Sequence, residues 1–170
     1  MNIDEIWYRA RAGSAKTSKI ASLDDCYFLY KVISKFKPEV IVEIGTWVGT
    51  TAYVMAQALL DSGVEGKIYT CDKHKEFTYW EEYPNIKYYN MWSGDFIKKI
   101  KGIKIDFLFA DGRLFKSDCK KLYKMFRNKA VFMTHDIYDR KGKNNFQRME
   151  KVMDIEIVES GGEASVLIYE

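Results

Sequence analysis

The sequence predicts an α/β fold: a doubly wound, mainly parallel sheet that closes with a C-terminal antiparallel hairpin. Three observations carry that expectation. Short apolar runs alternate five times with stretches of helical period. The first run, Val40-Ile41-Val42-Glu43-Ile44, leads straight into Gly45-Thr46-Trp47-Val48-Gly49 and then into a helical stretch at Thr50. The first, second, fourth and fifth runs end on polar residues, where parallel strands open onto a ligand crevice.

Residues 2–12 read as a short helix carrying Ile6 and Trp7, and 13–21 as a Ser/Thr/Lys-rich loop able to fold over a site. Ser22 is an N-cap with Asp25 in the capping-box position. Cys26, Leu29, Tyr30 and Ile33 then share one helix face, and Pro38 ends that helix. After the first strand and its glycine loop, a helix runs over 50–62 and Gly63 stops it. The second strand is 67–72, ending on Asp72. Residues 77–83 read as a helical turn broken by Pro84, and 86–91 as the third strand. Ser93-Gly94-Asp95-Phe96 turns into a short helix that reaches Gly102.

The fourth strand, 105–112, is apolar on both faces and ends on Asp111. Phe115, Cys119, Leu122 and Phe126 mark an amphipathic helix with lysines opposite. The fifth strand, 130–136, ends on His135-Asp136. Residues 139–145 read as a charged loop, and Phe146, Met149, Val152 and Met153 as a further helix. Strands at 155–159 and 164–169, joined at Ser160-Gly161-Gly162, make the hairpin. The expected organisation is one domain over 1–170, with N-terminal helices and a lid in 1–37 and the sheet core in 38–170.

At 170 residues the chain can bury a substantial core, and 47% hydrophobic residues with two prolines argue against disorder. The net charge of +3 is small and its lysines are interspersed with acids, so no nucleic-acid stripe is evident. Three cysteines, Cys26, Cys71 and Cys119, lack metal-site spacing and read as buried thiols in a reducing compartment. No leader pattern or membrane-length apolar run is read, and the expected location is cytoplasmic.

The loop glycines let backbone N–H groups approach a ligand, and the helix start behind them offers unpaired donors. Two glycines are too few for a dinucleotide fingerprint, and no Gly-Lys-Ser/Thr follows, which excludes a P-loop. A tight strand–helix turn of any α/β domain remains the plain alternative. Asp72 sits where a carboxylate could accept from both ribose hydroxyls, or it caps a helix. Asp95 could accept from an adenine amino group, again with an N-cap as the alternative. His135 is either functional or a strand-end histidine satisfied by hydrogen bonds. His74 reads as a surface residue. Trp47, Trp80, Trp92 and Tyr138 are candidate pocket walls, with core packing the commoner role.

Glu43-Ile44-Gly45-Thr46-Trp47-Val48-Gly49-Thr50-Thr51-Ala52, Asp72, Ser93-Gly94-Asp95, 105–112 and 132–137 occur in an order that resembles the class I S-adenosylmethionine (SAM)-dependent methyltransferases. Their O-methyltransferase branch is the most similar: the catechol and caffeoyl-coenzyme A type and its sugar-modifying relatives. The resemblance implies a Rossmann-like, seven-stranded sheet. It also implies methylation of a hydroxyl on a small molecule or sugar. Carried over, the cofactor-binding residues are Glu43, Gly45, Thr46, Gly49, Thr50, Asp72, Gly94, Asp95 and Asp111. The branch's divalent-metal ligands (Mg, Mn or similar) fall on Asp111, His135 and Asp136. The branch usually has an acid where His135 stands. The catechol-type lysine three residues after the fourth-strand acid is replaced by Leu114, so His135, with Asp111, becomes the catalytic candidate. Other readings are a silent nucleoside- or protein-binding module and, less favoured, a nucleic-acid methyltransferase or an NAD-dependent enzyme. No membrane partner is expected, nucleic acid is disfavoured, and a homodimer is compatible with the sequence. The lid candidates are residues 11–20 and 139–145.

Overall fold

The computed structural model of the chain describes residues 1–13, 20–74, 76–136, 139–152, 155–161 and 164–169, the last two segments as backbone alone. Helices α1 (Ile3–Ala12) and α2 (Leu23–Phe36) precede β1 (Val40–Ile44) and α3 (Thr50–Asp61). Then come β2 (Lys67–Asp72), β3 (Ile86–Asn90), α4 (Ser93–Lys99) and β4 (Ile105–Ala110). The chain continues through α5 (Lys116–Tyr123), β5 (Phe126–Thr134), α6 (Arg140–Glu150), β6 (Ile155–Gly161) and β7 (Ala164–Tyr169).

Among the described residues the sheet runs β3-β2-β1-β4-β5-β7-β6. The first five strands in that order are parallel, and β7 is antiparallel to β5 and to β6. The order reverses at β1 and β4, so the connections leaving these neighbours part to opposite faces and open a crevice between them.

Alternate side chains of each strand serve two cores. Ile41, Ile68, Phe107, Phe109, Val131 and Met133 pack with α1, α2 and α3, while Val42, Ile44, Cys71, Leu108, Ala110 and Phe132 pack with α4, α5 and α6. Helix α3 is buried along nearly its whole length, which is why its sequence is apolar all round. Asn2–Glu5 and Ser22–Asp25 form reciprocal capping boxes on α1 and α2, and Lys37 ends α2 in a left-handed conformation before Pro38. Gly63, at φ 68, follows the end of α3. All three cysteines are buried and free. No helix among the described residues is long and apolar enough to cross a membrane.

Three local expectations differ from the structure. Residues 77–83 are not helical. Phe77, Trp80 and Tyr83 instead gather around Tyr53 of α3, with the Trp80 ring stacked on it at 3.7 Å. Aromatic packing on a neighbouring helix outweighs the local signal of a turn. Phe126 opens β5 rather than continuing α5, and a register shift against β4 absorbs the exposed residues that follow it. The charged segment 139–145 is mostly helix: Asp139 caps α6 by accepting from the Gly142 N–H at 2.8 Å. Residues 14–19 and Tyr138, which fall in the expected lid and pocket wall, lie outside the described residues.

Candidate active site

Gly45, at φ 101, is the pivot of the crevice. A Cβ there would lie 2.4 Å from the Gly112 nitrogen, so the loop after β1 and the loop after β4 touch through backbone alone. The Gly45 and Thr46 N–H groups donate to the Cys71 carbonyl at 2.9 and 3.2 Å, tying the same loop to β2. Trp47 holds a left-handed conformation (φ 48), and its N–H donates to Asp72 Oδ2 at 2.9 Å. Gly49 precedes α3 at φ 95, and no side chain caps that helix, whose first three residues, Thr50, Thr51 and Ala52, are buried.

Beneath this loop, Glu43 is fully buried. It accepts from the Thr51 and Thr70 hydroxyls, each at 2.5 Å, and Thr46 hydrogen-bonds to Thr70 in turn. Burial pushes the Glu43 carboxyl up to about 7 against the lowering effect of the two hydroxyls. Glu43 and Thr46 therefore brace the loop from inside rather than line the crevice.

The crevice has two adjoining compartments, of about 510 and 470 Å³, that share Gly45, Trp47, Asp72, Gly112 and Lys141. The smaller is aromatic, walled by Trp47, His74, Trp92 and Phe115 together with Met91. Lys73 lies over the Trp92 ring at 4.5 Å. Asp72 stands at the divide and accepts from the backbone of both Trp47 and His74, so it caps a turn, not a helix. Gly49, Thr50, Gly94 and Asp95 do not line either compartment. Asp95 is the third residue of α4 and pairs with Lys98 at 2.9 Å on the solvent side. Trp80 is core. A third hollow, of about 610 Å³ and lined by Ile97, Ile103 and Met125 with lysines, contains no acid and lies away from the strand ends that carry these groups.

The larger compartment is ionic. Asp111 follows β4, His135 and Asp136 follow β5, and one donor atom from each lies within 4.8 Å of the others. The ring of His135 is buried. Its Nε2 is 3.2 Å from Asp25 Oδ2, and its Nδ1 is 2.9 Å from Asp136 Oδ1 and 3.5 Å from Asp111 Oδ1. Among the described residues neither ring nitrogen has a well-directed hydrogen bond, so these contacts act chiefly through charge. Burial alone would strip the proton from the ring, but Asp111, Asp136 and Asp25 outweigh it and push the imidazole up to about 12. This setting favours a cation at His135 over the neutral imidazole that a general base requires. Asp136 is itself left-handed at φ 58, a strained conformation for a non-glycine residue.

Two members of this cluster carry no local signal of function. Asp25 reads only as a capping residue, a role it fills, and its carboxylate also reaches His135. Lys141, on the first turn of α6, places its ammonium 2.7 Å from Asp111 Oδ1 and 2.7 Å from Asp136 Oδ2. Burial opposes ionisation of Asp111, yet His135 and Lys141 together hold its carboxyl below the ordinary value. Among the described residues, the contacts of Asp111 with His135 and Lys141 both fall on Oδ1, and Oδ2 is the oxygen that would face a ligand. Two carboxylates and an imidazole suit a divalent cation. With Lys141 bridging both acids, however, the residues present do not fit one, because the ammonium takes the position between the carboxylates.

The profile of a family described as a methyltransferase domain matches residues 42–137, from β1 to just past the end of β5. No curated protein sequence gives a significant match. Solved structures match in fold. The methyltransferase PaMTH1 of Podospora anserina, bound to SAH (S-adenosylhomocysteine), gives a TM-score of 0.72 at 13% identity, covering 99% of this chain and 87% of that one. TomG of Streptomyces achromogenes, an O-methyltransferase of tomaymycin synthesis in complex with SAM, gives 0.68 at 15% identity, covering 98% and 91%. The O-methyltransferase of Bacillus cereus in complex with SAH gives 0.67 at 14% identity, covering 98% and 90%. At these identities the likeness is one of fold.

Proposed function

This chain belongs to the methyltransferase-domain family, and from that premise we propose that it transfers the methyl group of SAM to a hydroxyl on a small molecule or a sugar. The observation that carries the reading is the two-compartment crevice meeting at Gly45 and Gly112. An aromatic compartment with a carboxylate at its edge suits a nucleoside. An ionic compartment beside it suits a polar acceptor.

In this reading Asp72 accepts from the ribose hydroxyls and Trp92 offers its exposed face to the base. The loop at Gly45 and Trp47, which lines both compartments, holds the amino-acid end of SAM. The acceptor hydroxyl lies against Asp111 Oδ2. Its oxygen attacks the methyl carbon in line with the sulfonium bond, the new C–O bond forms, and the electron pair of the breaking C–S bond returns to sulfur. The proton goes to Asp111, whose carboxyl is held below the ordinary value, so the transfer is driven by the simultaneous loss of the sulfonium charge and the proton then passes to solvent. The enzyme's contribution is chiefly alignment of the two partners. His135, held as a cation by three acids, fixes Asp111 and Asp136 rather than accepting the proton.

The reading is tested by titrating the protein with SAH and by following label from methyl-labelled SAM into a panel of catechols and sugars. Binding of SAH that weakens in D72A, with labelled ether formed, is the expected result. Binding without transfer to any acceptor would favour the silent binding module, and SAH binding indifferent to D72A would remove the proposed cofactor site.

A further inference from the structure

We infer that the ammonium of Lys141 is a built-in replacement for the divalent cation between Asp111 and Asp136, and that this chain excludes a metal from that position. The inference rests on the methyltransferase reading above and concerns its acceptor compartment. Nζ lies 2.7 Å from one oxygen of each carboxylate, the bridging position that a cation shared by the two acids would take.

The fold holds Lys141 there by several independent contacts. Gly142, the next residue, has no room for a side chain: a Cβ would fall 2.2 Å from the carbonyl oxygens of both His135 and Asp136. The first turn of α6 is therefore pressed against the backbone that leads out of β5. Asp139 caps that turn. Farther along, the Asn145 amide donates to the Gly112 carbonyl at 2.8 Å and its oxygen accepts from the Leu114 N–H at 3.0 Å. Arg148 donates to the Leu114 carbonyl. These bonds lock α6 onto the loop that carries Asp111, so the lysine and its two acids sit on one rigid frame.

Charge agrees with geometry. Asp111 and Asp136 each give one oxygen to the same ammonium, which already supplies the positive charge between them. A divalent ion added there would stand against an ammonium at contact distance. Removal of the ammonium, in contrast, leaves two carboxylates and an imidazole arranged around an open position, a donor set that favours a divalent ion. Lys141 belongs to both compartments of the crevice.

The test uses Mn²⁺ as the probe, followed by its electron paramagnetic resonance signal and by calorimetry. Wild type and K141R should leave Mn²⁺ free, and K141M should bind it at least about tenfold more tightly. Methyl transfer by wild type should persist in excess chelator. Thermal melts of K141M and K141R report whether the variants fold. The wild-type titration needs neither of them: tight Mn²⁺ binding by wild type that D111N removes would overturn the inference, as would a folded K141M that gains no affinity. Calorimetry with SAH in the same preparations separates the two proposals. Wild type that fails to bind SAH undermines the methyltransferase reading, whereas wild type that binds SAH and Mn²⁺ together removes only the role given to Lys141.

Discussion

On the aromatic side of the crevice, the walls are positioned by backbone. Gly45 and Thr46 donate to the Cys71 carbonyl, Gly45 touches Gly112, and Trp47 is held by its own N–H on Asp72. On the ionic side the positioning is done by side chains. Asp25 comes from α2, Asp111 from the end of β4, His135 and Asp136 from the end of β5, and Lys141 from α6. A backbone-built wall needs particular residues at fixed local spacing, glycines above all. A wall built of side chains needs only that separate parts of the chain converge, and its balance of charge can be altered one residue at a time. The shared cofactor and the variable acceptor of a group-transfer enzyme suit this division.

The contrast is tested most severely at Gly45. G45A places a Cβ in a left-handed position and against Gly112, so it should lower stability by about 3 kcal/mol and abolish SAH binding. Urea unfolding and calorimetry check both effects. G142A acts on the other wall. Helix α6 must retreat from His135 and Asp136, and Lys141 goes with it, so kcat should fall about 100-fold while SAH binding stays close to wild type. Equal losses of both activities in G142A would mean that the two walls are not separable.

Glu43 sharpens the comparison through pH. Its folded pKa, about 7, lies above its ordinary 4.5, so its contribution to stability is full below about pH 4.5 and is lost as pH rises through 7. E43Q should therefore gain on wild type between pH 4.5 and 8, by on the order of 2 kcal/mol at the upper end. Urea midpoints across that range would show the difference, and parallel pH profiles would contradict it. The smallest contrast lies between two acids on the cofactor side. D72A should weaken SAH binding about tenfold, through loss of a charged hydrogen-bonding group. D95A, whose carboxylate pairs with Lys98 on the surface, should leave SAH binding unchanged. Calorimetry on the two variants decides between them.

The order of strands and helices, the capping box at Ser22–Asp25 and the pivotal glycine loop were all legible in the chain, because each depends on neighbours within a few residues. Asp111, His135 and Asp136 were legible as a group, since parallel strands bring their carboxyl ends to one rim. The reading of 77–83 as a helical turn shows the limit. Its aromatics pack on Tyr53, a residue of another element, and nothing local specifies that.

By itself, then, the sequence determined the alternation of elements and the acids waiting at the strand ends, through periodicity, glycine conformations and capping, all short-range effects. Only the tertiary structure decided that Glu43 lies under the loop with Thr51 and Thr70, that Asp25 also serves His135, and that Lys141 bridges Asp111 and Asp136. The reason is that charge pairing and close packing act through space. Which residues share a hollow depends on how α2 and α6 settle against the sheet, and no spacing along the chain records that.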